Sequence, residues 1–364
     1  METKIYQVED LNADMLDKAD VYGDAAARQA VDAARAAVGR AAGILRGGGL
    51  VAFPTETVYG LGADAFNEAA VRKVYAAKGR PQDNPMIVHI ARASDVGALT
   101  SALSPDMVKL IECFWPGSLT LIVKKRADVP AAVTGGLDTV AVRMPDDPVA
   151  AELIRQAGTP VAAPSANLSG KPSPTKAAHV IRDLGGRIDV ILAGGECRVG
   201  IESTVLDLSG ETPVILRPGA VTADQIADIL GKEVETDPAL LRRDVPDGLT
   251  GADAAAAPKA PGMKYRHYAP NAEMLVLEGR RDRVKNEILR LKALNEKLGR
   301  RVGTMLFEEK SFTEAAHGFF SELRDLDDAG TDLILAGALS ENDGLGFAVM
   351  NRMMKAAGYN IIKV

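Results

Sequence analysis

Cysteine is scarce in this sequence. Cys113 and Cys197 are the two cysteines among 364 residues, and no CxxC pair occurs. This excludes a disulfide framework and predicts a protein of the reducing cytoplasm. Walker A, HExxH and GxSxG motifs are also absent, as are cysteine and histidine clusters with metal-ligand spacing. P-loop, zinc-protease and α/β-hydrolase chemistry are therefore not indicated, and we expect no metal site made by the protein alone.

Long apolar runs and an excess of positive charge are also missing. No run approaches the roughly 18 residues of a membrane helix, and the opening "METKIYQVED" lacks the apolar core of a signal peptide. The formal net charge of -6 and pI of about 5.5 argue against a wholly basic nucleic-acid binder, but leave room for a local basic cleft. The length and the 47% hydrophobic content predict two domains with sizeable cores.

Composition and periodicity divide the chain into four segments. Residues 35–231 alternate between helix and strand patterns and predict an α/β domain, preceded by an extension at 1–34 to which we assign no role. Small residues, proline and glycine mark a linker at 232–271. Strand and helix patterns alternate again over 272–364, which predicts a smaller domain built on a parallel sheet.

Local signals place several helix ends. Asn67 and Ser173 are predicted N-caps, and Gly79 is a predicted stop signal. Thr222 and Gln225 have the spacing of a capping box at a further helix start.

The stretch "AAKGRPQDNPMIVHI" concentrates polar residues between a predicted helix and a predicted strand. Lys78 and Arg80 flank the helix C-terminus, Asn84 falls in the turn, and His89 lies on the strand. Each residue alone fits a structural role, since the helix dipole favours cations at this end and asparagine before proline is typical of turns. The motif "PTETVYG", which contains Thr57, fits either turn chemistry or a ligand site at a strand end.

Arg143 is harder to explain as a structural residue. It shares one face of a short apolar strand with Thr139, and a buried arginine must find a partner or line a cavity. Small hydroxyls and amides recur at other predicted strand ends, and no residue stands out as a covalent nucleophile. The pattern predicts a site that binds an anionic substrate and acts by positioning and charge stabilisation. Its further members are Ser165, Asn167, Ser203 and Arg217.

Seven motifs in order identify a resemblance over roughly residues 35–364. They are "FPTETVYGLGADA", "KGRPQDNPMIVHI", "FWPGSLTLIV", "GGLDTVAVRMP", "APSANLSGKPSPT", "GIESTVLDL" and "ILRPG". They resemble the YrdC-domain family of L-threonylcarbamoyladenylate synthases. "PGMKYRHYAP" and "GLGFAVMNRMMKAAGYNII" are similar to the linker and the appended domain of the long form of that enzyme.

The resemblance implies an α/β domain with a large, positively charged cavity, followed by a Rossmann-like domain. It also implies a reaction of L-threonine, bicarbonate or CO2, and ATP, which yields threonylcarbamoyl-AMP and pyrophosphate. Mg²⁺ would accompany ATP. The implied partner is a transferase complex that places the threonylcarbamoyl group on an adenosine beside the tRNA anticodon, with no membrane and no stable direct tRNA complex.

The resemblance also assigns site residues. The implied L-threonine site comprises Thr57, His89, Arg143, Ala163 and Ser203. The implied catalytic cations are Lys78, Arg80 and Arg143. From the linker, His267 or Tyr268 is expected to close over the nucleotide, and the sequence does not decide between them. The implied ATP site comprises Lys78, Arg80, Asn84, Thr139, Ser165, Asn167, Ser173, Arg217, His267 and Tyr268.

Two rival functions use the same residues. A double-stranded-RNA-binding or ribosome-assembly module would use the basic cavity and show salt-sensitive RNA binding that survives Arg143→Ala. A carbamoyltransferase that uses carbamoyl phosphate would need no free threonine. The net acidic charge and the small threonine-sized group of Thr57, His89 and Ser203 favour the synthase.

Overall fold

The computed structural model describes residues 2–101, 103–241, 258–263, 267–307, 311–339 and 344–364. The strands are β1 (Lys4–Gln7), β2 (Val51–Phe53), β3 (Gly60–Asp64), β4 (Ile87–His89), β5 (Leu119–Lys124), β6 (Thr139–Arg143), β7 (Val161–Ala162), β8 (Val190–Ala193), β9 (Thr204–Asp207), β10 (Val214–Arg217), β11 (Glu235–Thr236), β12 (Glu273–Glu278), β13 (Val302–Met305), β14 (Leu333–Gly337) and β15 (Ile361–Lys363). The α-helices are α1 (Ala13–Asp20), α2 (Ala25–Arg46), α3 (Glu68–Lys78), α4 (Pro105–Phe114), α5 (Ala131–Thr134), α6 (Pro148–Ala157), α7 (Ala177–Leu184), α8 (Ala223–Leu230), α9 (Pro238–Leu241), α10 (Arg281–Lys297), α11 (Phe312–Asp328) and α12 (Gly344–Ala356).

The first domain is built on a mixed sheet with the strand order β1-β8-β2-β3-β7-β4-β6-β5-β9-β10-β11. Its two faces carry separate cores because side chains alternate along a strand. Val51 and Phe53 pack with α2 and α6 on one face, whereas Ala52 joins a larger core on the other face with residues of α3, α4, α7 and α8. Both faces of the central strands are therefore covered.

The segment predicted as an N-terminal extension belongs to this domain. β1 pairs in parallel with β8, and α2 runs unbroken from Ala25 to Arg46 with Val31, Val38 and Leu45 buried. The predicted boundary at residue 34 was wrong, because it falls inside one continuous amphipathic helix. β1, β3 and β8 were not predicted from the sequence.

The second domain confirms the predicted parallel α/β unit. Its sheet has the order β13-β14-β12-β15, and every pairing in it is parallel. Its core includes Phe319, Phe320 and Met353, and it also takes in Val58 and Ile201 from loops of the first domain. The two domains therefore share part of one apolar core.

Most predicted helix ends are confirmed. The Asn67 side chain accepts a hydrogen bond from the Ala70 amide, Gly79 ends α3 at φ 64°, and Thr222 forms its capping box with Gln225. The cap predicted at Ser173 was wrong, since α7 begins at Ala177 and the Ser173 hydroxyl bonds a carboxylate instead.

The predicted linker is partly structured. Within 232–271, β11 pairs with β10 and extends the large sheet, and α9 follows it. Most of the small-residue stretch at 242–257, together with residues 264–266, lies outside the described residues. Within the described residues no helix combines the length and hydropathy needed to cross a membrane.

Candidate active site

A cleft with an empty volume of about 590 Å³ opens beside β4 and β6, where several strands end. The lining residues are contributed by loops after β2 and β7, by strand ends and by the linker, and include Thr55, Thr57, Arg80, Ile87, His89, Arg143, Ala163, Ser165, Glu202, Ser203, Arg217, Gly262, His267 and Tyr268. The first domain and the linker thus bring most of the predicted site residues together.

Arg143 lines the cleft at the C-terminal end of β6. Its Nε donates to the Gly117 carbonyl at 3.1 Å, and its Nη1 donates to the Thr57 hydroxyl at 2.8 Å. Its Nη2 is 2.6 Å from Glu56 Oε1, but it is not aligned for a hydrogen bond. Arg143 is therefore held on three sides, and an Nη2 edge has hydrogen-bonding capacity left for a ligand carboxylate.

His89 faces the same end of the cleft. The register pairs it with Arg143 across β4 and β6, and its ring meets Phe53 edge to face. Its Nδ1 is buried and has no hydrogen-bond partner among the described residues. Burial, with a smaller contribution from Arg143, lowers the pKa of His89 to about 3. The imidazole is therefore neutral at physiological pH, with a polar nitrogen free for a ligand.

The lowered pKa of His89 predicts a component of acid sensitivity. The unfolded chain takes up a proton below about pH 6.5, whereas the folded chain resists protonation down to about pH 3. The free energy of unfolding should therefore fall over this window by up to roughly 1.4 kcal/mol per pH unit. Urea titrations of wild type and His89→Gln at several pH values measure this component, which the variant should lack. An acid dependence in His89→Gln equal to that of wild type would contradict this prediction.

Ser203 and Arg217 form a second polar group in the cleft. The Ser203 hydroxyl lies 2.7 Å from Thr120 Oγ1 and accepts a hydrogen bond from Arg217 Nη2 at 3.1 Å. Arg217 Nε also donates to the Ser203 carbonyl at 3.0 Å. The end of β10 and the start of β9 are thus joined by one guanidinium, which lies in the wall of the cleft.

Arg80 reaches the cleft from the turn after α3. Its Nη2 donates to Asn84 Oδ1 at 2.6 Å and to the Pro85 carbonyl at 2.9 Å. Asn84 does not line the cleft, so its described role is to orient Arg80. Burial lowers the pKa of Arg80 to about 10.

Lys78 occupies a different place from the predicted one. Its Nζ donates to the carbonyls of Ser165 and Asn167, both at 2.5 Å, and it does not line the cleft. Asn167 is also behind the lining, where its amide bonds the carbonyls of Leu168 and Lys171. Lys78 therefore supports the loop that carries Ser165.

Two further predicted site residues do not line the cleft. Thr139 lies at the start of β6, at the opposite end of that strand from Arg143. Ser173 donates to Glu202 Oε1 at 2.5 Å and so lies one residue layer behind the cleft. Glu56 and Glu202 were not predicted as site residues. Both stand inside the quoted motifs, and a carboxylate beside an arginine was the available signal.

His267 and Tyr268 both line the cleft, so the linker contributes both rather than one. The Tyr268 ring packs against Phe320 with centroids 5.2 Å apart, and its φ of 65° is unusual for a residue other than glycine. Burial raises the pKa of Tyr268 to about 12. Burial and the nearby Arg80 hold the pKa of His267 well below its usual value, so this ring is neutral.

Buried cations without carboxylate partners give the cleft its electrostatic character. Lys78, Arg80 and Arg217 are all nine-tenths or more buried, and none forms an ion pair within the described part of the chain. Burial lowers the pKa of each of them. Such an arrangement is costly unless a bound anion offsets it. Fold and cleft together define a two-domain α/β protein with a cleft beside buried cations that have no carboxylate partners among the described residues.

Comparison with known proteins places this arrangement in a family. A family model described as "Telomere recombination" matches residues 43–219, and one described as "Threonylcarbamoyl-AMP synthase, C-terminal domain" matches residues 221–358. The threonylcarbamoyl-AMP synthase of Pyrococcus abyssi is 48% identical over 334 residues, covering 89% of this chain and 95% of that protein. The protein of the same name from Bacillus subtilis is 45% identical over 343 residues, covering 90% and 94%.

A solved structure agrees with these matches. The crystal structure of P. abyssi Sua5 complexed with L-threonine superposes with a TM-score of 0.84 at 47% identity, over 91% of this chain and 96% of that one. This chain therefore belongs to the Sua5/YrdC family of threonylcarbamoyl-AMP synthases, and it is an enzyme of the nucleotidyltransferase class. The resemblance inferred from the motifs is confirmed.

Proposed function

We propose that this protein joins L-threonine, CO2 or bicarbonate, and ATP to form threonylcarbamoyl-AMP and pyrophosphate. The observation that carries the proposal is a single cleft lined by two chemically different groups of side chains. Arg143, the neutral His89 and small hydroxyls form one group, which we call the inner end, and the buried cations Arg80 and Arg217, which have no carboxylate partner among the described residues, form the other, which we call the outer end. The two groups meet where Ser203 accepts a hydrogen bond from Arg217. Membership in the synthase family supports the same assignment.

The inner end suits L-threonine. Arg143 has an Nη2 edge for the carboxylate, and its other nitrogens are fixed by Thr57 and Gly117. The neutral His89 nitrogen and the Ser203 hydroxyl supply polar partners without an opposing charge. A site with buried polar groups discriminates strongly against a substrate that leaves them unpaired, which gives selectivity for a hydroxyl-bearing amino acid.

The outer end suits the phosphates of ATP. Arg80 and Arg217 line it directly, and Lys78 adds a third positive charge behind Ser165. Cations that are already oriented, in a site closed to water, stabilise developing negative charge far better than mobile ions in solution. Asn84, Asn167 and Ser173 orient these groups from the layer behind. His267 and Tyr268 close the site from the linker side.

The chemistry requires no covalent enzyme intermediate. The threonine nitrogen, after loss of a proton from its ammonium form, attacks CO2. An N–C bond forms while one C–O π bond breaks, and the nitrogen then releases a second proton to solvent to give an N-carboxylate. An oxygen of that carboxylate attacks the α-phosphorus, the bond to the bridging oxygen breaks, and pyrophosphate leaves with the electron pair. Both reactants are anions, so Arg80 and Arg217 lower their repulsion and stabilise the transferring phosphoryl group.

Mg²⁺ is expected to enter with the nucleotide. The described residues contain no group of three or more histidine, cysteine, aspartate or glutamate side chains able to hold a metal. The two carboxylates nearest the cleft, Glu56 and Glu202, are each engaged by an arginine. Coordination by phosphate oxygens and water, which Mg²⁺ commonly prefers, fits this arrangement.

The product is a mixed anhydride that is useful only if it is consumed. We propose that a separate transferase complex moves its threonylcarbamoyl group to an adenosine next to the anticodon of tRNA. The net negative charge of the chain supports transfer by a partner rather than stable tRNA binding here.

The direct test uses labelled ATP. Purified protein is incubated with ATP, L-threonine, bicarbonate and Mg²⁺, and pyrophosphate and the acyl-adenylate are quantified. We expect both products only when threonine and bicarbonate are present together. Equal pyrophosphate release without threonine would overturn the proposal.

A further inference from the structure

Two buried arginines of the second domain reach the backbone around the cleft. Arg324 lies on α11 and Arg352 on α12, and their side chains are 5% and 0% exposed. Neither lines the cleft itself. Both bond to first-domain groups adjacent in sequence to residues of the proposed nucleotide site.

Arg324 holds the segment that contains Ser173. Its two terminal nitrogens pair with both carboxylate oxygens of Asp183 on α7, at 3.1 and 2.8 Å, and Nη2 also donates to the Pro172 carbonyl at 2.5 Å. The same Asp183 accepts a hydrogen bond from the Leu168 amide at 3.2 Å. One guanidinium therefore fixes the chain beside Ser173 directly, and the chain beside Asn167 through Asp183.

Arg352 holds the segments that contain Glu202 and Pro218. Its Nε donates to Glu202 Oε2 at 3.2 Å and its Nη2 donates to the Glu202 carbonyl at 3.2 Å, while Nη1 donates to the Pro218 carbonyl. Although burial alone would raise it, the charges of Arg352 and Arg217 hold the pKa of Glu202 below its usual value. Glu202 is thus a carboxylate, and its other oxygen accepts the Ser173 hydroxyl.

The rest of the interface leaves this geometry little freedom. At Gly200 an added Cβ would lie 2.4 Å from the His317 carbonyl oxygen of α11, so the loop backbone packs directly on that helix. Lys355 on α12 donates to the Gly262 carbonyl at 2.7 Å, in the linker segment that lines the cleft.

We propose that Arg324 and Arg352 are positioning residues of the synthase, through which the second domain holds the nucleotide half of the cleft in its binding geometry. This inference rests on the proposed function. Each guanidinium makes the planar, multiply bonded contact that lysine cannot reproduce. Displacement of a positioned group by about 1 Å can cost about 10²-fold in rate, so the arginines should influence catalysis without touching substrate.

The chain offers a matched control for this idea. Arg182 and Asp328 join the same two helices, α7 and α11, as the Asp183–Arg324 pair does. Their side chains are 48% and 44% exposed, and they contact no segment next to the cleft. Arg182→Ala therefore removes a contact between the same two helices without altering the segments beside the cleft.

The experiment compares Arg324→Lys, Arg352→Lys and Arg182→Ala with wild type. Lysine keeps the charge opposite each carboxylate but cannot also hold the Pro172 or Pro218 carbonyl. We expect kcat/KM for ATP to fall about 10- to 100-fold in both lysine variants, mainly through KM. The Kd for threonine should be unchanged in Arg324→Lys, and in Arg352→Lys it should change less than the KM for ATP, because Arg352 also bonds Glu202 beside Ser203. Arg182→Ala should match wild type in KM for ATP.

A double variant tests whether the loss for ATP arises only from a buried charge left without its partner. Arg324→Gln with Asp183→Asn removes both charges, so no uncompensated charge is left buried, and it should show the same loss for ATP. An unchanged KM for ATP in the folded variants, or an equal loss for threonine and ATP, would overturn the inference. If wild type itself releases no threonine-dependent pyrophosphate, the proposed function fails instead, and the two failures are distinguished.

Discussion

Replacing Arg143 with alanine is expected to abolish threonine-dependent pyrophosphate release, with a loss of about 10²- to 10³-fold or more in kcat/KM for threonine. The side chain lines the cleft, is almost fully buried, and has an Nη2 with no hydrogen-bond partner among the described residues. Truncating one partner of a buried, hydrogen-bonded charge pair typically costs about 2–5 kcal/mol of binding free energy. The measurement is initial rate against threonine concentration at saturating ATP.

The alanine variant also leaves a buried charge behind. Glu56 would lose its ion-pair partner at a site where its side chain is 2% exposed, which typically costs about 3–5 kcal/mol of folding stability. Arg143→Lys separates the two effects, because lysine can face Glu56 but cannot make the three-sided contact. We expect this variant to stay folded and still lose threonine affinity. Unchanged threonine binding in Arg143→Lys would contradict the assignment of Arg143 to the carboxylate.

The cleft could be predicted in outline because its residues stand at element ends that carry readable signals. Gly79 ends α3 and thereby places Arg80 in a turn, while alternation along β6 puts Arg143 on a defined face. Distances between motifs could not be predicted in this way. Lys78 and Arg80 are two residues apart, yet one supports the Ser165 loop and the other lines the cleft. The difference follows from where the neighbouring loop passes, which is a tertiary property.

Two of the missed strands, β1 and β3, lack the usual local signals of a strand. β1 is an edge strand, and most of its residues are exposed, so it shows no hydrophobic alternation. β3 contains Gly60 and Gly62, which depress strand propensity but allow close packing, because a Cβ at Gly62 would lie 2.7 Å from Val161. These strands form because their partners are already in place. Pairing of that kind leaves little trace in a local pattern.

The contribution of the second domain to the cleft could not be predicted from the sequence, for a related reason. Arg324 and Arg352 lie on amphipathic helices, where an arginine is usually an exposed residue. Their burial becomes clear only when Asp183 and Glu202 of the first domain are placed opposite them. A buried pair is weak evidence for stability by itself, so its meaning here comes from the segments that it holds.

Replacing Arg80 with alanine is expected to reduce kcat/KM for ATP by about 10²-fold while leaving the Kd for threonine unchanged. Arg80 lines the outer end of the cleft, is held by Asn84 and Pro85, and has no ion-pair partner in the described residues. Its positive charge is therefore available to the phosphates. ATP titrations of wild type and Arg80→Ala measure the effect, and Arg72→Ala is the matched control, since Arg72 lies on α3 and pairs with Glu68 at the surface.

Arg143→Ala and Arg80→Ala should differ in folding stability as well as in the substrate whose binding they weaken. Removing Arg143 leaves the buried Glu56 carboxylate without its ion-pair partner. Removing Arg80 instead eliminates a buried cation whose pKa is already lowered to about 10 by burial. Ligand-free Arg80→Ala should therefore unfold at a temperature close to that of wild type, and should lose the stabilisation that ATP gives to wild type. A loss of stability in Arg80→Ala as large as that in Arg143→Ala, or a parallel loss of threonine affinity, would contradict this division. Residues that bind a polyanion are expected to weaken the empty protein, because their charges are balanced only when the ligand is bound.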